Sequence, residues 1–77
     1  MAAVAYFEKA LEDTDQATYR YGMEEDDLDR SITIRKVDQR PVDDRLPPGI
    51  TGELAFGAII RGYRKQGQWP ERGVGVT

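Results

Sequence analysis

The run Val4-Ala5-Tyr6-Phe7-Glu8-Lys9-Ala10-Leu11-Glu12, followed after a polar gap by Ala17-Thr18-Tyr19-Arg20-Tyr21-Gly22, decides the fold. Ala3, Phe7, Ala10 and Leu11 fit one face of a helix, whereas Phe7, Lys9 and Leu11 alternate with Tyr6, Glu8 and Ala10 as a strand would. Intrinsic propensity favours the helix, and context favours the strand. Glu12-Asp13-Thr14-Asp15-Gln16 is a polar turn cluster, and the aromatic and β-branched run beyond it is a strong strand. A strand cannot stand alone, so a hairpin from about 4–12 to 17–22 is the favoured solution.

Working outward, Ser31-Ile32-Thr33-Ile34-Arg35-Lys36-Val37 places Ile32 and Ile34 on one face and Thr33 and Arg35 on the other, the alternation of a half-buried strand over 31–37. The connection from Asp38 to Gly49 is charged and carries Pro41, Pro47 and Pro48, so neither a central strand nor a helix interior fits it. A helix is expected over about 52–66, with Thr51 as N-cap, Glu53 in the first turn, and Gly67 in the left-handed C-cap position. Phe56, Ile59, Ile60 and Tyr63 then share its apolar face. Leu54, Phe56, Ala58 and Ile60 also alternate, which keeps a strand open for 54–63. In the tail, 68–77, Trp69 is expected to fold back on the sheet or the helix end, and Val74 and Val76 either add a short edge strand or fray.

These elements make an α+β fold: a three-stranded antiparallel meander packed against one C-terminal helix, with Trp69 sealing an end. The expected core is Phe7, Leu11, Tyr19, Tyr21, Ile32, Ile34, Phe56, Ile59, Ile60 and Tyr63.

With 77 residues the chain suits one small domain, which buries only ~60% of the surface its unfolded form exposes. It has no cysteine and no histidine, so disulfide staples and the commonest transition-metal ligands are unavailable. A small fold without staples gains from a partner subunit, so homodimerisation is an expectation. The N-terminal residues lack the basic and long apolar segments of a secretory signal, and no apolar run is long enough to span a bilayer; a cytoplasmic location without membrane contact is expected.

Charge is unevenly spread. Residues 1–34 carry nine acidic and three basic side chains, and residues 35–77 carry five acidic and eight basic, for a net charge of −3. The acidic block Glu24, Glu25, Asp26, Asp27 and Asp29 is the candidate surface for a basic protein partner. It does not read as a calcium loop: an EF-hand beginning at Asp27 would place Ile32 at the obligatory glycine. No metal or cofactor is expected.

The alternative surface is basic. Arg61, Arg64, Lys65 and Arg72, near Tyr63 and Trp69, combine cations with aromatic faces as nucleic-acid binders do. The same cations suit a helix C-terminus, and the net negative charge opposes a polyanion. Nucleic acid is therefore the less favoured partner. A third possibility is a small carboxylate-dependent hydrolase using Asp13, Asp15, Asp43 or Asp44, but adjacent acids in polar loops lack the burial that shifts a pKa. Ser31 is the sole serine and has no histidine to activate it. The expectation is a non-catalytic interaction or regulatory module.

The segments Tyr6-Phe7-Glu8-Lys9, Tyr19-Arg20-Tyr21-Gly22, Leu28-Asp29-Arg30 leading into Ile32-Thr33-Ile34, and Trp69-Pro70 together resemble small uncharacterised actinobacterial proteins of similar length. The resemblance implies no activity and carries over no functional residue. It favours the hairpin for the N-terminal segment.

Overall fold

The structure is a computed structural model that describes residues 3–42 and 49–76. The N-terminal segment is a strand. Along the chain come β1 (Val4–Glu12), β2 (Gln16–Gly22), β3 (Arg30–Arg35), β4 (Arg40–Pro41), α1 (Gly49–Gln66) and β5 (Arg72–Val76). All strand pairs are antiparallel, in the order β4-β3-β2-β1-β5. The α+β class stands, but the meander has five strands among the described residues rather than three.

Both additions lie at the edges. β4 arises because the chain turns back after Arg35, with Gln39 at φ 58° completing the turn. Pro41 then pairs with Ile34 at the margin, where a missing N–H costs no ladder bond. The third strand consequently ends at Arg35, not Val37, which is exposed in the turn. β5 returns beside β1, pairing Val4 with Val76 and Tyr6 with Val74. Its glycines admit the neighbours: a Cβ on Gly75 would lie 2.5 Å from the Leu54 carbonyl oxygen, so only glycine lets the strand slide under α1.

One face of the sheet is covered by α1 and the other is not. Ala5, Phe7, Ala17, Tyr19, Tyr21, Ile32, Ile34, Ala55, Ile59, Ile60 and Trp69 form the buried cluster between sheet and helix. Phe7 meets Tyr19 edge-on at 5.7 Å between ring centres. Phe56 and Tyr63 are only partly buried at the margin of this cluster. Leu11 is not in it at all, being 72% exposed.

A β-bulge explains Leu11. The register of β1 on β2 shifts between Lys9 and Leu11, so Lys9 opposes Tyr19 but Leu11 opposes Thr18. One extra residue reverses the facing of everything after it. Leu11 moves to the uncovered face, and Glu12, opposite Ala17, takes the covered one.

The helix starts earlier than expected. Gly49 opens it, and Thr51 is a buried residue within its first turn rather than an N-cap. The far end matches the sequence: Gly67, at φ 77°, donates its N–H to the Tyr63 carbonyl at 2.8 Å. Trp69 folds back and stacks on Tyr63 with ring centres 4.4 Å apart. No described helix is long and apolar enough to cross a membrane.

Candidate functional site

The acidic block forms a tight turn between β2 and β3. Asp27 donates its N–H to the Glu24 carbonyl at 3.1 Å, closing a turn with Glu25 and Asp26 at its tip. Gly22 fixes where this turn goes. A Cβ there would stand 2.4 Å from the Asp27 carbonyl oxygen and 3.2 Å from the Leu28 Cα, so the absence of a side chain lets the returning strand lie directly on the end of β2.

Folded this way, the turn walls a recess of about 310 Å³ at the β1/β5 end of the sheet. Tyr6, Glu8, Arg72 and Val74, all on the uncovered face, line it together with Glu25 and Leu28 from the turn. Phe7 and Gly73 close its base. On the other side of the turn, Glu24, Asp27 and Asp29 share a second hollow of about 290 Å³ with Thr51, at the start of α1. The helix thus directs its positive N-terminal pole toward the acidic turn, where it favours the clustered carboxylates.

Among the described residues, none of Glu8, Glu24, Glu25, Asp26, Asp27 or Asp29 makes an ion pair. Arg72 shares the first recess with Glu8 and Glu25, and Arg30 shares the second with Glu24, Asp27 and Asp29, without closing an ion pair. Chemically, the recess offers an apolar floor between the carboxylates of Glu8 and Glu25, with Arg72 at one edge, and a long cationic side chain can lay its methylenes on Tyr6, Leu28 and Val74.

Arg61, Arg64 and Lys65 are helical neighbours at i, i+3 and i+4 on α1, while the fourth cation, Arg72, stands on β5. Arg64 and Lys65 occupy the last turn of α1, about 21 Å of helix rise from Thr51, and Arg64 Nε donates to Gln39 Oε1 at 3.3 Å. Arg72 lines the acidic recess instead. Arg61 is exposed along the helix and folds its guanidinium toward Gly57. Trp69 is 7% exposed and already stacked on Tyr63, which withholds the indole from any base.

Of the carboxylates considered for hydrolysis, Asp13 and Asp15 sit in the exposed β1–β2 turn. Asp13 Oδ1 accepts from the backbone N–H groups of Asp15 and Gln16, each at 2.8 Å, and so shapes the β1–β2 turn. Asp43 and Asp44 lie outside the described residues. Among the described residues no group of three or more acidic side chains is arranged to hold a metal ion.

At the opposite end of β1 the charges are paired. Lys9 bridges Glu12 and Glu71, the latter at 3.0 Å, and Glu12 reaches Lys36 at 2.7 Å. Beside them the Tyr19 hydroxyl donates to the Pro70 carbonyl at 2.6 Å. Hydrogen bonds from Lys36 and then Lys9 hold the Glu12 carboxyl below the usual carboxylate range. The bond to Glu12 holds the Lys9 ammonium above its usual value despite burial, and burial, reinforced by the charges of Glu12 and Glu71, raises the Tyr19 phenol. The sequence did not mark this cluster, because the bulge that turns Glu12 toward Lys9 has no signature in residue type. The recess was missed for a similar reason: β5 had no certain place.

No family model, curated protein or solved structure gives a significant match to the chain.

Proposed function

We propose that the protein is a non-catalytic interaction module whose acidic turn and adjoining recess hold a basic segment of a protein partner. The observation that carries this proposal is the contrast in pairing: Glu8 and Glu25 flank an apolar floor and make no ion pair, although Arg72 stands opposite Glu8 at its edge, whereas Lys9, Glu12, Lys36 and Glu71 neutralise one another. A lysine or arginine in the recess gains on the order of 0.8 kcal/mol for each methylene buried, and each exposed ion pair adds roughly 0.2–1 kcal/mol. One such residue is a weak anchor. Several along the turn bring a segment into the micromolar range, with association accelerated by the field of the acidic block.

Titration of a fluorescent lysine- and arginine-rich peptide by anisotropy tests this. Binding is expected with a Kd of about 1–100 µM, weakening as salt shortens the screening length. Glu25→Gln with Glu8→Gln should weaken it about tenfold or more, while Arg64→Gln with Lys65→Gln should leave it unchanged. Indifference to the peptide, coupled with salt-sensitive binding to single-stranded DNA or RNA, would reject the proposal in favour of a nucleic-acid partner.

A further inference from the structure

The two edges of the sheet are built differently. At one edge β4 has only two residues, the charged Arg40 and a proline, with Asp38 just before them. That is a blunted edge. At the other edge β5 runs for five residues, Arg72-Gly73-Val74-Gly75-Val76, with one charge and no proline. No described strand pairs with its outer side.

The direction of its backbone groups follows from one bond. Lys9 donates its N–H to the Glu71 carbonyl at 2.7 Å, and Lys9 and Glu71 continue the β1–β5 register in which Phe7 pairs with Gly73. Residues 71, 73 and 75 therefore address β1, and Arg72, Val74 and Val76 turn their N–H and C=O groups outward. An antiparallel second copy centred on Val74 places Val74 opposite Val74 and Arg72 opposite Val76. All three outward residues then fall in hydrogen-bonded pairs, giving about six backbone bonds. The same register keeps the two Arg72 side chains from facing each other.

We infer that β5 pairs with β5 of a second copy of this chain about a two-fold axis through Val74. The axis is perpendicular to the sheet, so both helices lie on one face and both acidic recesses on the other. On the uncovered face Val74, 49% exposed, Val76, 60% exposed, and the adjoining Val4 and Tyr6 become one apolar strip across the junction. On the covered face the flank of α1 nearest β5 presents the half-buried Leu54 and Ala58, the residues that a Cβ on Gly75 would meet. Five residues give ~17 Å of edge. With a thinnest molecular dimension of 20 Å, the junction covers roughly 700 Å² over both copies, below the size of permanent interfaces. The dimer is therefore reversible, forming in the micromolar range or above.

Sedimentation velocity from about 1 µM to about 1 mM, paired with amide exchange by NMR, tests the pairing. The expected result is a concentration-dependent dimer in which Arg72, Val74 and Val76 amides become protected as it forms, while Gly73 and Gly75 are protected at every concentration. Val74→Pro, which removes the outward N–H at an edge position that tolerates proline, should leave a folded monomer by near-UV circular dichroism of Trp69. Val74→Lys, with two ammonium groups meeting at the axis, should do the same and decides the matter should the proline variant not fold. Val42→Lys at the opposite edge should dimerise like wild type. A wild-type chain that stays monomeric throughout overturns the inference, as does a dimer that survives in folded Val74→Lys. Because Val74 itself lines the recess, basic-peptide binding is measured on the wild-type chain below the concentrations at which it dimerises, and this separates failure of the pairing from failure of the acidic recess.

Discussion

The two ends of β1 use charge in opposite ways. Near Glu12 the carboxylates of Glu12 and Glu71 meet Lys9 and Lys36, and these charged groups sit around a buried tyrosine hydroxyl and the chain reversal at Trp69 and Pro70. Near Tyr6 the acids crowd a turn, and among the described residues none makes an ion pair, although Arg72 and Arg30 stand at its edges. The first arrangement stabilises the fold, and the second adds repulsion that folding must tolerate. A surface that retains such repulsion is available to something outside the chain, which is why the function is assigned to the turn and not to the better-connected cluster.

Substitutions that perturb the paired end should affect stability, beginning with the largest effect. Trp69→Ala removes the indole stacked on Tyr63 and should cost about 3–5 kcal/mol in urea unfolding, a large fraction of a small domain's total. A cost below about 1 kcal/mol would break the comparison at its structural end. Tyr19→Phe removes only the bond to the Pro70 carbonyl and should cost about 1–3 kcal/mol by the same measurement, since that acceptor is left unsatisfied.

The pH dependence sharpens the contrast. The Glu12 pKa is depressed in the folded state, so its contribution is complete above the unfolded carboxyl's value of about 4.3 and is lost as pH falls through the folded value. Lys9 and Tyr19 are raised, so theirs are complete below about 10 and are lost as pH rises through their folded values. Glu12→Gln should lower stability at neutral pH by less than about 1 kcal/mol and flatten the acid limb of the profile. An unchanged acid limb would show that the Glu12 pairs do not persist in solution. The smallest effect belongs to the turn itself: Glu24→Gln with Asp26→Asn should change stability by no more than about 0.5 kcal/mol, and relief of repulsion sets the sign toward stabilisation.

Much of this architecture was legible in the sequence where side-chain chemistry set it. Ile32 and Ile34 alternate as they should, Gly67 ends the helix, and Trp69 seals the core. The hairpin followed from the strength of its second strand rather than from the ambiguous first. What was hidden depended on backbone detail. The bulge after Lys9 exposed Leu11 and brought Glu12 to Lys9, yet nothing in Lys9-Ala10-Leu11 announces it. β5 contains two glycines, poor strand formers by propensity, and exists because those glycines admit Phe7 and α1. The acidic turn was visible as a composition, but the recess beside it needed β5 in place. The four basic residues looked like one surface in sequence; α1 keeps Arg61, Arg64 and Lys65 on neighbouring turns, and Arg72 lies at the acidic recess instead.

The central claim is that the charges of the acidic turn serve a partner and those of the Glu12 cluster serve the fold. It is tested most directly by measuring urea stability and basic-peptide affinity side by side for Glu8→Gln/Glu25→Gln and for Glu12→Gln. The account predicts that the first variant keeps its stability within about 0.5 kcal/mol and loses about tenfold or more in affinity, while the second loses stability and keeps its affinity. The reverse pattern, or equal affinity in both, would contradict it.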